Sequence, residues 1–312
     1  MRKVTENMNG EFYSQTLRRE LVHKRAVSEV LVTSASDQAG TWTVHAQLPR
    51  LHSFHTDVVG RQRAYYDPLL VLEAFRQGCI AASHLFYDAP ADARHTVRYY
   101  ELSVVDLDQL ECGSETLDLE LNIVVQKEFR REDQGPVHGL EVSAVVAHEG
   151  AKAVEVSAAF GWMPLQKWDA MRAGASWDPG PQPAPADVRT VGRTRAENVV
   201  IGEPIHATEG GSATAPLVVD IQHATLFDHP LDHLPGGLMI EAARQLSLAI
   251  DDSRVPSLVG PSWLRIDFHS FAEMDAVNTV AMTQDAADPL TFRGDITQSG
   301  KTRATIELAF ME

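Results

Sequence analysis

Cysteine, long apolar runs and basic residues are all scarce in this chain, and each scarcity removes a class of protein. Only Cys79 and Cys112 are present, without C-x-x-C spacing, so no disulfide framework or cysteine-rich zinc site is encoded and free thiols in a reducing cytosol are expected. No run of about 18 apolar residues occurs, so no transmembrane helix and no membrane partner are expected. The N-terminus starts basic but holds no apolar core, so it does not read as a secretory signal and the expected location is cytoplasmic. Acidic residues outnumber basic ones 43 to 27, a formal charge of −16, which argues against general nucleic-acid binding. The chain has no G-x-S-x-G, no P-loop and no Rossmann glycine pattern, so no nucleotide or flavin cofactor is implied.

What is present is a globular composition, 44% hydrophobic and 22% charged, over 312 residues. That length accommodates two domains of about 150 residues, each with its own core. The chain also repeats itself. LVLEAFRQ at 70–77 and LMIEAARQ at 238–245 agree at five of eight positions, so Glu73, Arg76 and Gln77 match Glu241, Arg244 and Gln245 at an offset of 168. His55 and His223 fall on the same offset. A period this long indicates duplicated domains, because solenoid repeats are far shorter.

Element order supports the duplication. Strands are predicted over 27–33 and 41–48, and a loop over 49–66 carries His52, His55, Asp57 and Arg63. Asp67-Pro68 then starts a helix running to about Tyr87, Asp as N-cap and Pro at the first position. Strands follow over 95–106, 116–129, 140–148 and 151–162, with turns at 111–114, 133–136 and 149–150. Five prolines between Pro164 and Pro185 mark a semi-rigid linker. The second half predicts strands over 197–201 and 215–221, a His-rich loop, a helix over 235–253, and strands over 264–271, 277–284, 290–297 and 302–311. Both helices are apolar around most of their surface, so each must be enclosed by the strands that follow. The predicted division is 1–163, a linker at 164–192, and 193–312.

An antiparallel sheet around a central helix, with Pro235-Gly236 ahead of Glu241, Ala242 and Gln245, resembles the hot-dog fold and the helix of acyl-carrier-protein dehydratases. The fuller set, LVHKRAVSEVLVT, YDPLLVLEAFRQG and DHPLDHLPGGLMIEAARQ, resembles the A-factor biosynthesis (AfsA-type) family of signalling-molecule synthases across both halves. The resemblance implies an α+β chain of two fused hot-dog domains packed as a pseudo-dimer, with sites in clefts between the halves. It also implies transfer of a β-ketoacyl group from an acyl-carrier-protein or CoA thioester to the hydroxyl of dihydroxyacetone phosphate. That is the first step toward a γ-butyrolactone, butenolide or furan signal controlling antibiotic production. The competing readings are a hot-dog thioesterase, a dehydratase, and a non-catalytic lactone-binding regulator. In the dehydratases the catalytic His lies nine residues before the Gly of the Pro-Gly turn. Here that position is Phe227, and His229 is displaced by two.

The candidate catalytic residues are Glu241, Arg244 and Glu73. A buried carboxylate with a raised pKa suits general acid–base work, and a guanidinium can hold a phosphate bidentately. The bland alternative is an intrahelical ion pair worth about 0.2–0.5 kcal/mol. Gly236, Gly237, His229 and Arg76 are the candidate substrate contacts, the glycines because N–H groups at a helix start attract negative charge. Metal binding is not expected at His229 and His233, which lack a carboxylate or cysteine set at ligand spacing. Cys79 reads as a small buried hydrophobe rather than a nucleophile. An acidic carrier protein would need a local basic patch, for which 61–63, 94–98 and 127–131 are candidates against the commoner solvated face. The sequence leaves open which half is active and whether the chain forms a homodimer.

Overall fold

The computed structural model describes residues 12–132, 135–208 and 210–312. The chain forms two units. One comprises residues 12–51 and 66–173, the other 52–65 and 174–312.

In the first unit, β1 (Val32–Gln38) and β2 (Thr41–Leu48) precede the 19-residue helix α1 (Pro68–Phe86). The strands β3 (Arg94–Val104), β4 (Leu117–Arg130), β5 (Val137–His148) and β6 (Ala151–Met163) follow, then the short helix α2 (Leu165–Met171). The strands pair antiparallel in the order β1-β2-β4-β5-β6-β3. Alternation explains the wrap: Leu117, Leu119, Leu121 and Ile123 on β4, and Val142, Ala144 and Val146 on β5, are all buried, which a period of two puts on one face. Against that face lies α1, buried on nearly every side from Pro68 to Ser83. Gly78 admits β2 closely, since a Cβ there would stand 3.1 Å from Val44 Cγ1.

The second unit repeats the plan with β7 (Ile205–His206), β8 (Ser212–Pro216), α3 (Gly236–Ile250), β9 (Gly260–Phe268), β10 (Asn278–Gln284), β11 (Thr291–Gln298) and β12 (Lys301–Met311). Its antiparallel order is β9-β12-β11-β10-β8-β7, with α3 buried along Leu238–Ala249. Each unit is therefore a hot-dog, as predicted.

Three expectations change. Neither strand placed just before the site region forms as such: residues 27–29 and 196–198 are 3-10 turns, because a helix glutamine side chain captures the backbone that strand pairing would use. The semi-rigid linker placed at 164–192 is partly built into the fold, since residues 165–171 form α2, Ala186 and Val191 are buried and Pro185 bridges to Gly202. Residues 52–65 leave the first half of the sequence and belong to the second unit. Gly60, at φ 65, makes this approach, because a Cβ there would collide with the Pro256 carbonyl, and Arg61 N–H donates to that same oxygen at 3.2 Å. Of the turn predicted at 133–136, residues 133 and 134 lie outside the described residues.

Candidate functional site

Glu, Arg and Gln at i, i+3 and i+4 share one helix face, and both helices use that spacing identically. On α1, Asp67 caps the helix by accepting from Leu69 N–H at 3.0 Å, and Pro68 fits the first turn because its missing N–H has no helical partner there. One turn on, Arg76 grips Glu73 with two donors, Nε to Oε2 at 2.7 Å and Nη2 to Oε1 at 2.8 Å. Gln77 Nε2 donates to Glu73 Oε1 at 2.9 Å and to the Glu29 carbonyl at 2.8 Å, while its Oε1 accepts from Leu31 N–H at 2.9 Å. A second cation, Lys24, reaches Glu73 Oε1 at 3.0 Å.

On α3 the same set is sealed. Arg244 Nε donates to Glu241 Oε2 at 2.9 Å, and Gln245 Nε2 to Oε1 at 2.6 Å. Gln245 also ties the Asn198 carbonyl at 2.8 Å and Val200 N–H at 2.9 Å. The second cation here is Arg193, with Nε 3.0 Å and Nη2 2.6 Å from Glu241 Oε1. These bonds align the units at an offset of 169 ahead of the helices, so Arg193 stands where Lys24 does. The preceding turns agree: Lys24 N–H donates to Arg19 O and Arg193 N–H to Val188 O. Setting VHKRAVSEVLV against VGRTRAENVVI would have exposed both cations, but the one-residue slip relative to the helix offset conceals them.

Arg193 extends the network. Its Nη1 donates to the Phe54 and Asp57 carbonyls at 2.5 and 2.9 Å, and its guanidinium lies 4.5 Å over the Phe54 ring. The Asp57 carboxylate accepts from the Thr194 hydroxyl, from Thr194 and Arg195 N–H, and from Asn198 Nδ2 at 2.8 Å. Burial alone would raise Asp57, but these bonds and the Arg193 charge hold it below the usual range. His223 Nε2 lies 3.2 Å from Asn198 Oδ1, and its Nδ1 accepts from Thr225 and Leu226 N–H. His52 accepts from Phe54 and His55 N–H in the same way. The structural counterpart of His223 is therefore His52, not the His55 suggested by the 168 offset.

The electrostatics run opposite to the raised pKa expected for a buried acid. Burial pushes Glu241 up, but the Arg193 and Arg244 charges more than offset it and the group ends below the carboxylate range. Glu73 is held well below that range, burial being outweighed by Arg76 and then Lys24. Exposure separates the units: the Glu73 and Arg76 side chains retain 20% and 29%, whereas Glu241 and Arg244 retain 1% and 3%.

The other predicted residues are placed as follows. Gly236 and Gly237 are the first two residues of α3, whose hydrogen bonding begins with Leu238 and Met239 N–H to the Pro235 carbonyl. Gly236 is required by contact, since a Cβ would stand 2.9 Å from the Phe268 ring, whereas Gly237 is exposed. His229 sits in the loop leading to α3, its Nδ1 3.7 Å from Asp228 Oδ2, and His233 Nδ1 is 2.6 Å from Asp232 Oδ1. The Cys79 thiol is pushed far up by burial, as a packing residue would be.

Two hot-dog units, each with a Glu-x-x-Arg-Gln core clamped by a second cation, define a double hot-dog protein. Solved structures agree on the fold. The 12:0-ACP thioesterase of Umbellularia californica superposes with a TM-score of 0.51 at 11% identity, over 88% of this chain and 99% of that one. A putative oleoyl thioesterase of Lactobacillus plantarum gives 0.53 at 6% identity, over 88% and 96%. At such identities the likeness concerns fold alone. The family is narrower. Residues 9–156 and 175–306 match the A-factor biosynthesis hotdog domain, and the chain belongs to that family. It is 34% identical over 272 residues to a 2-oxo-3-(phosphooxy)propyl 3-oxoalkanoate synthase of Streptomyces virginiae, covering 84% of this chain and 85% of that protein. It is 31% identical over 263 residues to the synthase of the same name from Streptomyces coelicolor, covering 82% and 78%.

Proposed function

We propose that this protein is an acyltransferase that joins a 3-oxoacyl group to the hydroxyl of dihydroxyacetone phosphate, giving the ester for which its relatives are named. The observation that carries this reading is the 34% identity to such a synthase across both units, beside a duplicated polar core. The hydroxyl oxygen attacks the thioester carbonyl, the C–S bond breaks, and the hydroxyl proton ends on the released thiol. In the second unit, the N–H groups of Gly236 and Gly237 stabilise the carbonyl oxygen as it gains charge. His229 takes the hydroxyl proton. Glu241 and Arg244 lie one to two turns deeper, and a carboxylate held low by two guanidinium groups is a poor proton acceptor. They act as positioning residues that fix α3 against the loops around it.

A second placement is favoured by exposure. In the first unit the partly open Arg76 binds the acceptor phosphate, and Glu73 holds the guanidinium in place. The donor is a carrier-protein thioester, docked on the first unit's basic surface. There Arg98 and Lys127 flank the Phe129 ring, at 4.6 and 5.5 Å from its centroid, and the charges of Arg98 and Arg131 both depress His138 after burial. The product feeds a butyrolactone-type signal.

The test is a mass-spectrometric assay with purified protein, a β-ketoacyl thioester and dihydroxyacetone phosphate. A phosphorylated ester that needs both substrates is expected. Free acid formed without the acceptor would replace the reading with a thioesterase, and lactone binding without turnover would replace it with a sensor. His229→Ala and Arg76→Ala then choose the active unit, since only the variant in that unit loses ester formation.

A further inference from the structure

Three histidines far apart in sequence meet in the first unit. His23 ends the 3-10 turn Arg19–Val22, His84 lies in the last turn of α1, and His95 is the second residue of β3. One ring nitrogen from each lies within 4.8 Å of the others, and all three side chains are half-buried. We propose that His23, His84 and His95 bind a divalent transition metal, Zn²⁺ in the first instance, with a fourth position left open.

The hydrogen bonds prepare the ligands. His84 Nδ1 donates to the Ala89 carbonyl at 3.0 Å, which leaves its Nε2 lone pair facing His23 Nε2 at 2.8 Å. Ser83 Oγ donates to the Ile80 carbonyl at 2.7 Å, so it accepts from His95 Nε2–H at 2.8 Å. His95 Nδ1 is then the lone-pair nitrogen, shielded from water and without a hydrogen-bond partner among the described residues. Backbone carbonyls behind two imidazoles, directly or through a hydroxyl, are the outer contacts that orient zinc-bound histidine. Arg76, whose charge bears on His95, is itself held by a bidentate bond to Glu73.

Tetrahedral ligands at Zn–N distances of 2.0–2.1 Å stand about 3.3 Å apart. The His23–His84 pair therefore opens by about 0.5 Å as the metal replaces the proton between them. An anion would be poorly served here, because it needs donors and the one proton between the paired nitrogens is already accepted by the His84 lone pair.

Backbone conformation is an independent observation. His23 is left-handed, at φ 55 and ψ 45, where a side chain is disfavoured. At the offset that equates Lys24 with Arg193, the corresponding residue of the second unit is Gly192, also left-handed at φ 72. The first unit thus keeps an imidazole where its copy keeps the residue suited to that conformation. The position of His84 on α1 corresponds to Asp252, so the triad belongs to one unit alone.

The test titrates untagged, chelator-treated full-length protein with Zn²⁺ by calorimetry, and with Co²⁺ by visible absorption. One equivalent per chain is expected, with a tetrahedral Co²⁺ spectrum. His84→Ala and His23→Gly should each weaken binding at least tenfold, and His23→Gly leaves the fold intact because Gly192 already shows glycine fits that turn. No metal uptake, or unchanged uptake in His23→Gly, would overturn the site. So would phosphate raising the Tm of metal-free protein and losing that effect in both variants, which would make it an anion site. None of these readouts depends on acyl transfer, so the outcome is separable from the function proposed above.

Discussion

Glu241 is a carboxylate whose two oxygens face two guanidinium groups and an amide in a dry interior. Removing one partner of such a pair strands the other charges, at a cost of about 3–5 kcal/mol. Glu241→Gln should therefore lower urea-unfolding stability by that order, while Glu73→Gln should lose less because its site is partly open to solvent. Both folded pKa values are depressed, so their stabilisation is present above the unfolded value of about 4.3. It is lost as pH falls through the folded values. Between about pH 5 and about pH 2 the wild type should lose more stability than Glu241→Gln. Parallel losses in the two proteins would refute the coupling.

Helix starts set the next test. The two helices begin differently: Asp67 closes α1 with its side chain, whereas α3 begins at Gly236-Gly237 with no side-chain cap. Asp67→Ala should cost about 1 kcal/mol. Gly236→Ala drives a methyl into the Phe268 ring and should cost about 1–3 kcal/mol. A Cβ at Gly237 would meet only Leu226 Cδ2, at an ordinary 3.6 Å, so Gly237→Ala should gain up to about 1 kcal/mol from helix propensity. Thermal unfolding of the pair checks this, and equal effects at both glycines would refute the contact. Much of each helix was legible in the sequence, because N-cap, Pro and apolar periodicity are local signals. The 3-10 turns at 27–29 and 196–198 were not, since the β-branched residues that follow them, over 30–33 and 199–201, make the whole stretch read as strand until a distant glutamine binds the backbone.

For the whole molecule the relevant quantity is charge. The carrier-protein donor proposed above would meet a chain of net −16 only through a local cationic surface, and such attraction is screened by salt. Activity with a carrier-bound thioester should fall as ionic strength rises from about 0.05 to 0.5 M, while activity with a small pantetheine thioester stays level. Arg98→Glu with Lys127→Glu should raise KM for the carrier thioester about tenfold and leave kcat unchanged. Equal effects on both donors would remove the docking surface from the proposal.

The sequence by itself determined the duplication, written in a repeated segment at an offset of 168, and both central helices, most of the long strands and the Glu-x-x-Arg-Gln face, because each of these is written in spacings of two, three or four residues. It could not determine what those acids face. Arg193 meets Glu241 across 48 residues and Asp57 across 136, and Lys24 meets Glu73 from before the first strand. Only tertiary structure brings these cations to the carboxylates, and their charge reverses the pKa shift that burial alone would give. The same holds for His23, His84 and His95, whose ring nitrogens converge only once a turn, a helix end and a strand are packed together.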